Sequence, residues 1–318
     1  MRRKPRRMLL VFAAAVLVAA AVYCIELAIP KRAFFIDRAG TLVGQAQTQT
    51  RHARTTSETV HLVSSSGLEV DMRVSRPAYD GERKLPVLLV LGGYRTGKDA
   101  VDLVGEPKHI AYAAIDYPYD GKQDLGDFWT SVAAIPGIQD AFLDSPPALL
   151  LALEWLLEQP WVDTERVELA GISLGVPFAA PAGALDARFS RVWLMHGGGD
   201  NVSWVSGQAR HRIENEALRR ITVRLILFAV YGNSFNTERW IEDIAPRPLV
   251  IVMAHDDDFV SAAAQEPMLE AARGPNVELI WTQGQHIGPR RRGELGQLLA
   301  LVRARIPDMP MNETEDRE

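Results

Sequence analysis

An α/β architecture, with a mostly parallel central sheet flanked by helices, is predicted by three features of this sequence. Runs such as Leu85–Leu91 and Val167–Ile172 are apolar at nearly every position, as strands buried on both faces must be. Helical stretches separate these runs, which allows one parallel strand to return beside another. The chain has 318 residues, 47% of them hydrophobic, enough to bury such a core in one large domain.

The elements follow in chain order. Met8–Ile25 holds eighteen consecutive uncharged residues, which as a helix would span about 27 Å, close to a bilayer's hydrocarbon core. Arg2, Arg3, Lys4, Arg6 and Arg7 precede it, favouring a cytoplasmic N-terminus and an extracytoplasmic body. Residues 1–30 are therefore read as a basic stub and single-pass transmembrane anchor. The rival reading is a cleaved signal peptide and a secreted product, with Ala19-Ala20-Ala21 near the cut, but the apolar core exceeds the usual length of such signals. Residues 31–55 read as a linker.

From 56 to 306 the pattern is that of the folded domain. Val60–Val63 and Leu68–Val74 predict paired strands across Ser64-Ser65-Ser66-Gly67. Leu85–Leu91 and Ile110–Ile115 predict buried strands, and Leu149–Leu157 a helix with leucines along one side. Val167–Ile172 is a strand leading into an Ala-rich helix that Pro181 should kink or shorten. Arg191–His196, Pro248–Ala254 and Val277–Thr282 complete the strands, and 307–318 reads as an acidic, solvated tail.

Charge and cysteine content exclude some functions. Residues 1–38 carry a net +6, leaving −11 for the remainder, so the body is a poor binder of nucleic-acid phosphates. A single Cys, Cys24, permits neither an intrachain disulfide nor a thiolate zinc cage.

The sharpest chemical signal is Gly171-Ile172-Ser173-Leu174-Gly175, the G-x-S-x-G pattern at a strand-to-helix junction. A nucleophile at the tip of so tight a turn needs small flanking residues, and the helix start directs N–H groups at an oxyanion. A base and an orienting acid are also required. His286 lies in the loop after the last strand, and Asp256-Asp257-Asp258 follow Pro248–Ala254.

In this Ser, Asp, His order, residues 56–306 resemble the α/β-hydrolase superfamily, particularly its dienelactone-hydrolase and esterase-like branches. The resemblance implies Ser173 as nucleophile and His286 as general base. For the acid, relatives often show Gly-x-x-Asp-x-x-Val-Pro. Ala254-His255-Asp256-Asp257-Asp258-Phe259-Val260-Ser261 places Asp257 on that Asp, while Ala254 and Ser261 depart from the pattern and leave Asp258 as the alternative. The oxyanion hole would use the N–H of Leu174 and one from Leu91-Gly92-Gly93-Tyr94, either Gly93 or Tyr94, with Leu91 where a His is frequent.

Other motifs carry less. Gly92–Lys98 fits G-x-x-x-x-G-K, but Asp99 stands where a P-loop needs a Mg²⁺-holding hydroxyl, so Lys98 reads as a solvated helix-start residue. His196-Gly197-Gly198-Gly199-Asp200 reads as a strand-end turn. His255 beside three Asp residues suggests a metal, yet consecutive carboxylates point apart around a turn. Neither a metal nor an organic cofactor is expected.

His196 and Pro248 are separated by 51 residues, more than a short crossover needs. Ile213, Ala217, Ile221 and Leu225 recur at spacing four, suggesting a helical cap within 200–245 over Ser173, the alternative being one more packed helix. The expected activity is a serine hydrolase cleaving an ester-like bond of a small-molecule or lipid-like acyl substrate at the membrane. A non-catalytic binding or scaffold protein is the alternative.

Overall fold

A computed structural model describes residues 4–51, 54–78, 83–93, 96–121, 128–288 and 290–307. Nine strands form one sheet: β1 (Leu42–Arg51), β2 (Thr55–Ser64), β3 (Glu69–Pro77), β4 (Leu85–Leu91), β5 (Ala111–Ile115), β6 (Val162–Ile172), β7 (Arg191–Met195), β8 (Leu249–Ala254) and β9 (Val277–Thr282). Their spatial order is β1-β2-β3-β5-β4-β6-β7-β8-β9. The pairs from β1 to β5 are antiparallel, and those from β5 through β9 are parallel.

The strand order reverses at β4, which lies between β5 and β6. Open α/β sheets offer a crevice beyond the carboxyl ends of strands at such a reversal. Leu91, the last residue of β4, pairs with Gly171 of β6, so the loops after these strands leave side by side. Register thus puts Gly92-Gly93 against Ser173.

The apolar strands support two core layers. On one face, α4 (Phe128–Leu157) and α5 (Val176–Leu185) pack Trp155, Leu149, Phe178 and Ala179 onto Leu89, Leu169 and Leu194. On the other, α3 (Ala100–Leu103) and α9 (Arg292–Arg305) pack Val101, Leu298 and Val302 onto Leu88, Tyr112 and Trp193. Burying each large aliphatic or aromatic side chain contributes about 1.5–3 kcal/mol.

Four elements depart from expectation. The stretch 31–55, expected as a linker, holds α2 (Arg32–Ala39) and β1. Phe35 of α2 is fully buried against Phe235 and Trp240. β1 is an exposed edge strand of Gln and Thr with no apolar face to advertise it, and pairing with β2 defines its register. The helix read at Leu149–Leu157 begins at Phe128 and runs for 30 residues through Pro136, Pro146 and Pro147. Helix α5 likewise continues past Pro181 to Leu185.

The region 200–245 contains α6 (Asn201–Gln208) and α7 (Glu216–Ala229). Asp200 caps α6 by accepting from the N–H groups of Val202 and Ser203, at 3.0 and 3.1 Å. Of the residues at spacing four, Ile221 and Leu225 are 55% and 64% exposed, while Val223 and Leu227 are buried. Two apolar stripes compete on α7, and only the pair that meets Val202 is covered.

Helix α1 covers Lys4–Ala28, within which the expected anchor lies. Among the described residues no single helix is long and apolar enough to cross a membrane. Ala14–Ala28 and Arg32–Ala39 reach that length only as a pair bent by 78°. Of the acidic tail, residues 308–318 lie outside the described residues.

Candidate active site

Ser173 sits immediately after β6, at the start of the turn leading into α5, with φ at +53°. That left-handed backbone is costly for a residue with a Cβ and is held by close packing on either side. A Cβ on Gly171 would come within 2.6 Å of Ala179 Cβ, and one on Gly175 within 2.0 Å of the Leu91 carbonyl oxygen. Both flanking glycines are therefore required by backbone approach, the second because β4 and the turn nearly touch.

Folding brings three distant side chains together here. Ser173 Oγ lies 2.7 Å from His286 Nε2, and His286 Nδ1 lies 2.9 Å from Asp257 Oδ2. The other carboxylate oxygen, Asp257 Oδ1, accepts from the N–H groups of Phe259 and Val260 at 2.9 and 2.7 Å. Asp258 instead points outward, its side chain 52% exposed and 3.4 Å from Arg291. Of these two adjacent carboxylates, Asp257 is the one within hydrogen-bonding distance of His286. Burial pushes the Asp257 carboxyl up, but the His286 hydrogen bond and charge, with the Val260 and Phe259 N–H groups, hold it below the ordinary carboxylate range.

The loop carrying His286 is fixed from both sides. Arg291 Nη1 donates to the His286 carbonyl at 2.7 Å. The Ile287 N–H donates to His196 Nδ1 at 3.0 Å, and His196 Nε2 lies 3.3 Å from Thr282 Oγ1, which donates to the Met253 carbonyl. An acceptor at Nδ1 places the His196 proton on Nε2. Burial, reinforced by the charge of His286, pushes His196 down to about 4, so the ring is neutral near neutral pH. His196 was read from the sequence only as part of a turn. Its burial at a strand end with φ at +53° is the signal that the primary structure does not display.

Gly93 lies beside the serine, a Cβ built on it falling 3.4 Å from Ser173 Cβ and 3.7 Å from Oγ. Leu174 is the next residue of the turn into α5, where the first N–H groups of a helix lack intrahelical acceptors. Tyr94 lies outside the described residues. A cavity of about 620 Å³ opens on Ser173 and His286. Its walls include Phe142, Phe178 and Phe235 below, and Trp204, Val205 and Leu227 from α6 and α7. The lining is overwhelmingly apolar, suited to a hydrocarbon-rich group with a polar reacting centre.

The remaining motifs resolve into structure. Lys98 is ion-paired rather than solvated, with Nζ 2.5 Å from Asp116 Oδ2 and the backbone N–H 2.8 Å from Asp116 Oδ1. Gly97, at φ +44°, is what lets Asp116 approach, so the P-loop-like spacing serves a turn. His255 stacks on Trp281 at 5.2 Å. Among the described residues the group geometrically able to hold a metal is His196, Asp257 and His286, with ligand atoms within 4.8 Å. His286 Nδ1 and His196 Nδ1 are already committed to the hydrogen bonds above.

No family model matches the chain, and no curated protein matches its sequence. Solved structures do match in three dimensions. An acetyl xylan esterase from Paenibacillus sp. R4 superposes with a TM-score of 0.59 at 15% identity, over 85% of this chain and 93% of that one. A cold-adapted esterase from an Arctic intertidal metagenomic library gives 0.55 at 17% identity, over 81% and 99%. A 2,6-dihydroxy-pseudo-oxynicotine hydrolase gives 0.52 at 18% identity, over 79% and 69%. The chain has the α/β-hydrolase fold.

Proposed function

We propose that this protein is a serine hydrolase that cleaves a carboxylester or thioester through an acyl-enzyme on Ser173. The reading is carried by one observation: an alcohol, an imidazole and a buried carboxylate stand in an unbroken hydrogen-bonded row of 2.7 and 2.9 Å. His286 Nε2 takes the Ser173 proton as Oγ attacks the acyl carbonyl, while Asp257 holds the tautomer and stabilises the imidazolium. The oxyanion is held by the Leu174 N–H and one from Gly93 or Tyr94, each donor contributing ~3 kcal/mol to transition-state stabilisation. His286 then protonates the leaving group, and water attacks the acyl-enzyme with the same base. The aromatic cavity supports an apolar acyl group, with α6 and α7 as its cap. Met8–Ile25 supports placing this site beside a membrane on the extracytoplasmic side.

A fluorophosphonate probe tests the reading by labelling the nucleophile covalently. The wild type is expected to label and Ser173→Ala not to label; equal labelling of both would remove Ser173 from the chemistry.

A further inference from the structure

Among the described residues no element covers the outward face of α7, which is an aliphatic surface. Leu218, Ile221, Leu225 and Ile226 are each 55% to 64% exposed. At 100° per residue these four lie on one side of the helix, opposite the buried Val223 and Leu227. A helix serving only as a cap needs one apolar stripe, and this one has two.

The surroundings of this face specify what covers it. Helix α7 packs against α1, whose Val16, Leu17, Val18, Val22 and Ile25 are themselves exposed. Gln139 Nε2 donates to both the Tyr23 hydroxyl and the Ala229 carbonyl, tying the last turn of α7 to the last turns of α1. The Lys31 ammonium, just beyond α1, sits 4.7 Å from the ring centroid of Tyr231, two residues past α7. If Met8–Ile25 crosses a bilayer, α7 is therefore held where that helix emerges. Residues 205–235 also carry five arginines against two glutamates, a positive region on an otherwise acidic body. Arg210, Arg212 and Arg224 are exposed. Basic residues beside an exposed aliphatic face are the composition of a helix lying in an anionic lipid interface.

We infer that the outward face of α7 docks into the same leaflet that α1 enters, with Leu218, Ile221, Leu225 and Ile226 among the acyl chains and Arg210, Arg212 and Arg224 at the headgroups. The inner face of the same helix contributes Leu227 to the cavity over Ser173, so a lipid-borne acyl substrate would reach the pocket from the membrane surface. This inference rests on the anchoring part of the proposed function.

Depth measurement tests it on the full chain. Cys24 is replaced by Ala, and single cysteines at Ile221, Leu225 and the exposed control Glu165 carry an environment-sensitive fluorophore in single-copy nanodiscs. The discs contain phosphatidylcholine and phosphatidylglycerol, with or without brominated acyl chains. Labels at 221 and 225 are expected to be quenched by the brominated lipid about twofold or more, and the label at 165 not at all, given insertion of ~5–10 Å. Flotation of the same chain with vesicles separates the two readings. A chain that does not float overturns the anchor and this inference with it. One that floats, while 221 and 225 match 165, overturns this inference alone, as does quenching replaced by self-association of two copies. Function gives a second readout: Leu225→Glu is expected to retain wild-type turnover of a short water-soluble ester and lose about tenfold on a long-chain ester in anionic vesicles. Equal activity on both would contradict the inference.

Discussion

Replacing Asp257 by Asn changes one hydrogen-bonding atom with almost no change in shape. In the native site Oδ1 accepts from the N–H groups of Phe259 and Val260, and Oδ2 accepts from His286. An Asn keeps its carbonyl oxygen on the two N–H groups, because turning it would aim its amide hydrogens at those donors. Its NH₂ then faces His286 Nδ1 at 2.9 Å, a distance that demands an acceptor there. The imidazole proton moves to Nε2 and points at Ser173 Oγ, 2.7 Å away, so the lone pair that should take the serine proton is gone. A wrong-tautomer change of this kind costs about 10⁴-fold in kcat, or roughly 5 kcal/mol. Asp258→Asn, at an exposed carboxylate beside Arg291, is expected to change kcat less than about threefold. Steady-state hydrolysis of p-nitrophenyl esters, with circular dichroism to show that both variants are folded, measures the difference. A loss under about tenfold for Asp257→Asn, or an equal loss for Asp258→Asn, would refute the assignment of the acid.

Three further outcomes follow from named contacts. Gly175→Ala forces a Cβ to within 2.0 Å of a backbone oxygen and is expected to lower stability by ~3 kcal/mol or leave the chain insoluble, whereas Gly293→Ala, with nothing nearby, should be neutral or stabilising on thermal melting. His196 in the folded protein is pushed down to about 4, so it contributes stability fully above its unfolded value near 6.5, lost as pH falls through 4. Urea titrations should show the wild type losing about 3 kcal/mol more than His196→Asn between pH 7 and 4, and parallel losses would contradict the buried neutral ring. Lys98→Ala is expected to leave ATP binding undetectable in both proteins by calorimetry while lowering stability by about 1 kcal/mol through loss of the Asp116 pair.

The legible parts of this molecule were those in which local chemistry and fold agree. Strands β4 and β8, and β6 from Val167 onward, are apolar along most or all of their length, and Gly171, Ser173 and Gly175 announce a turn that only small residues permit. Asp257 could not be separated from Asp258 because two adjacent carboxylates differ only in which way the loop turns them. Strand β1 is invisible in the sequence because the backbone ladder with β2, rather than burial of an apolar face, holds it in place. The facing of α7 is not legible because both its stripes are apolar, and spacing alone does not say which one meets the core. His196 acts through a hydrogen bond to the backbone of Ile287, 91 positions away, a contact no local pattern encodes.

Trapping of the covalent species is the most direct test of ester cleavage at Ser173. Wild type mixed with excess p-nitrophenyl acetate and quenched in acid within milliseconds is expected to release one equivalent of nitrophenol in a burst, with a single acetyl group on the peptide containing Gly171–Gly175 and none in Ser173→Ala. Turnover with no acetyl on that peptide, or an unchanged adduct in the variant, would contradict the account.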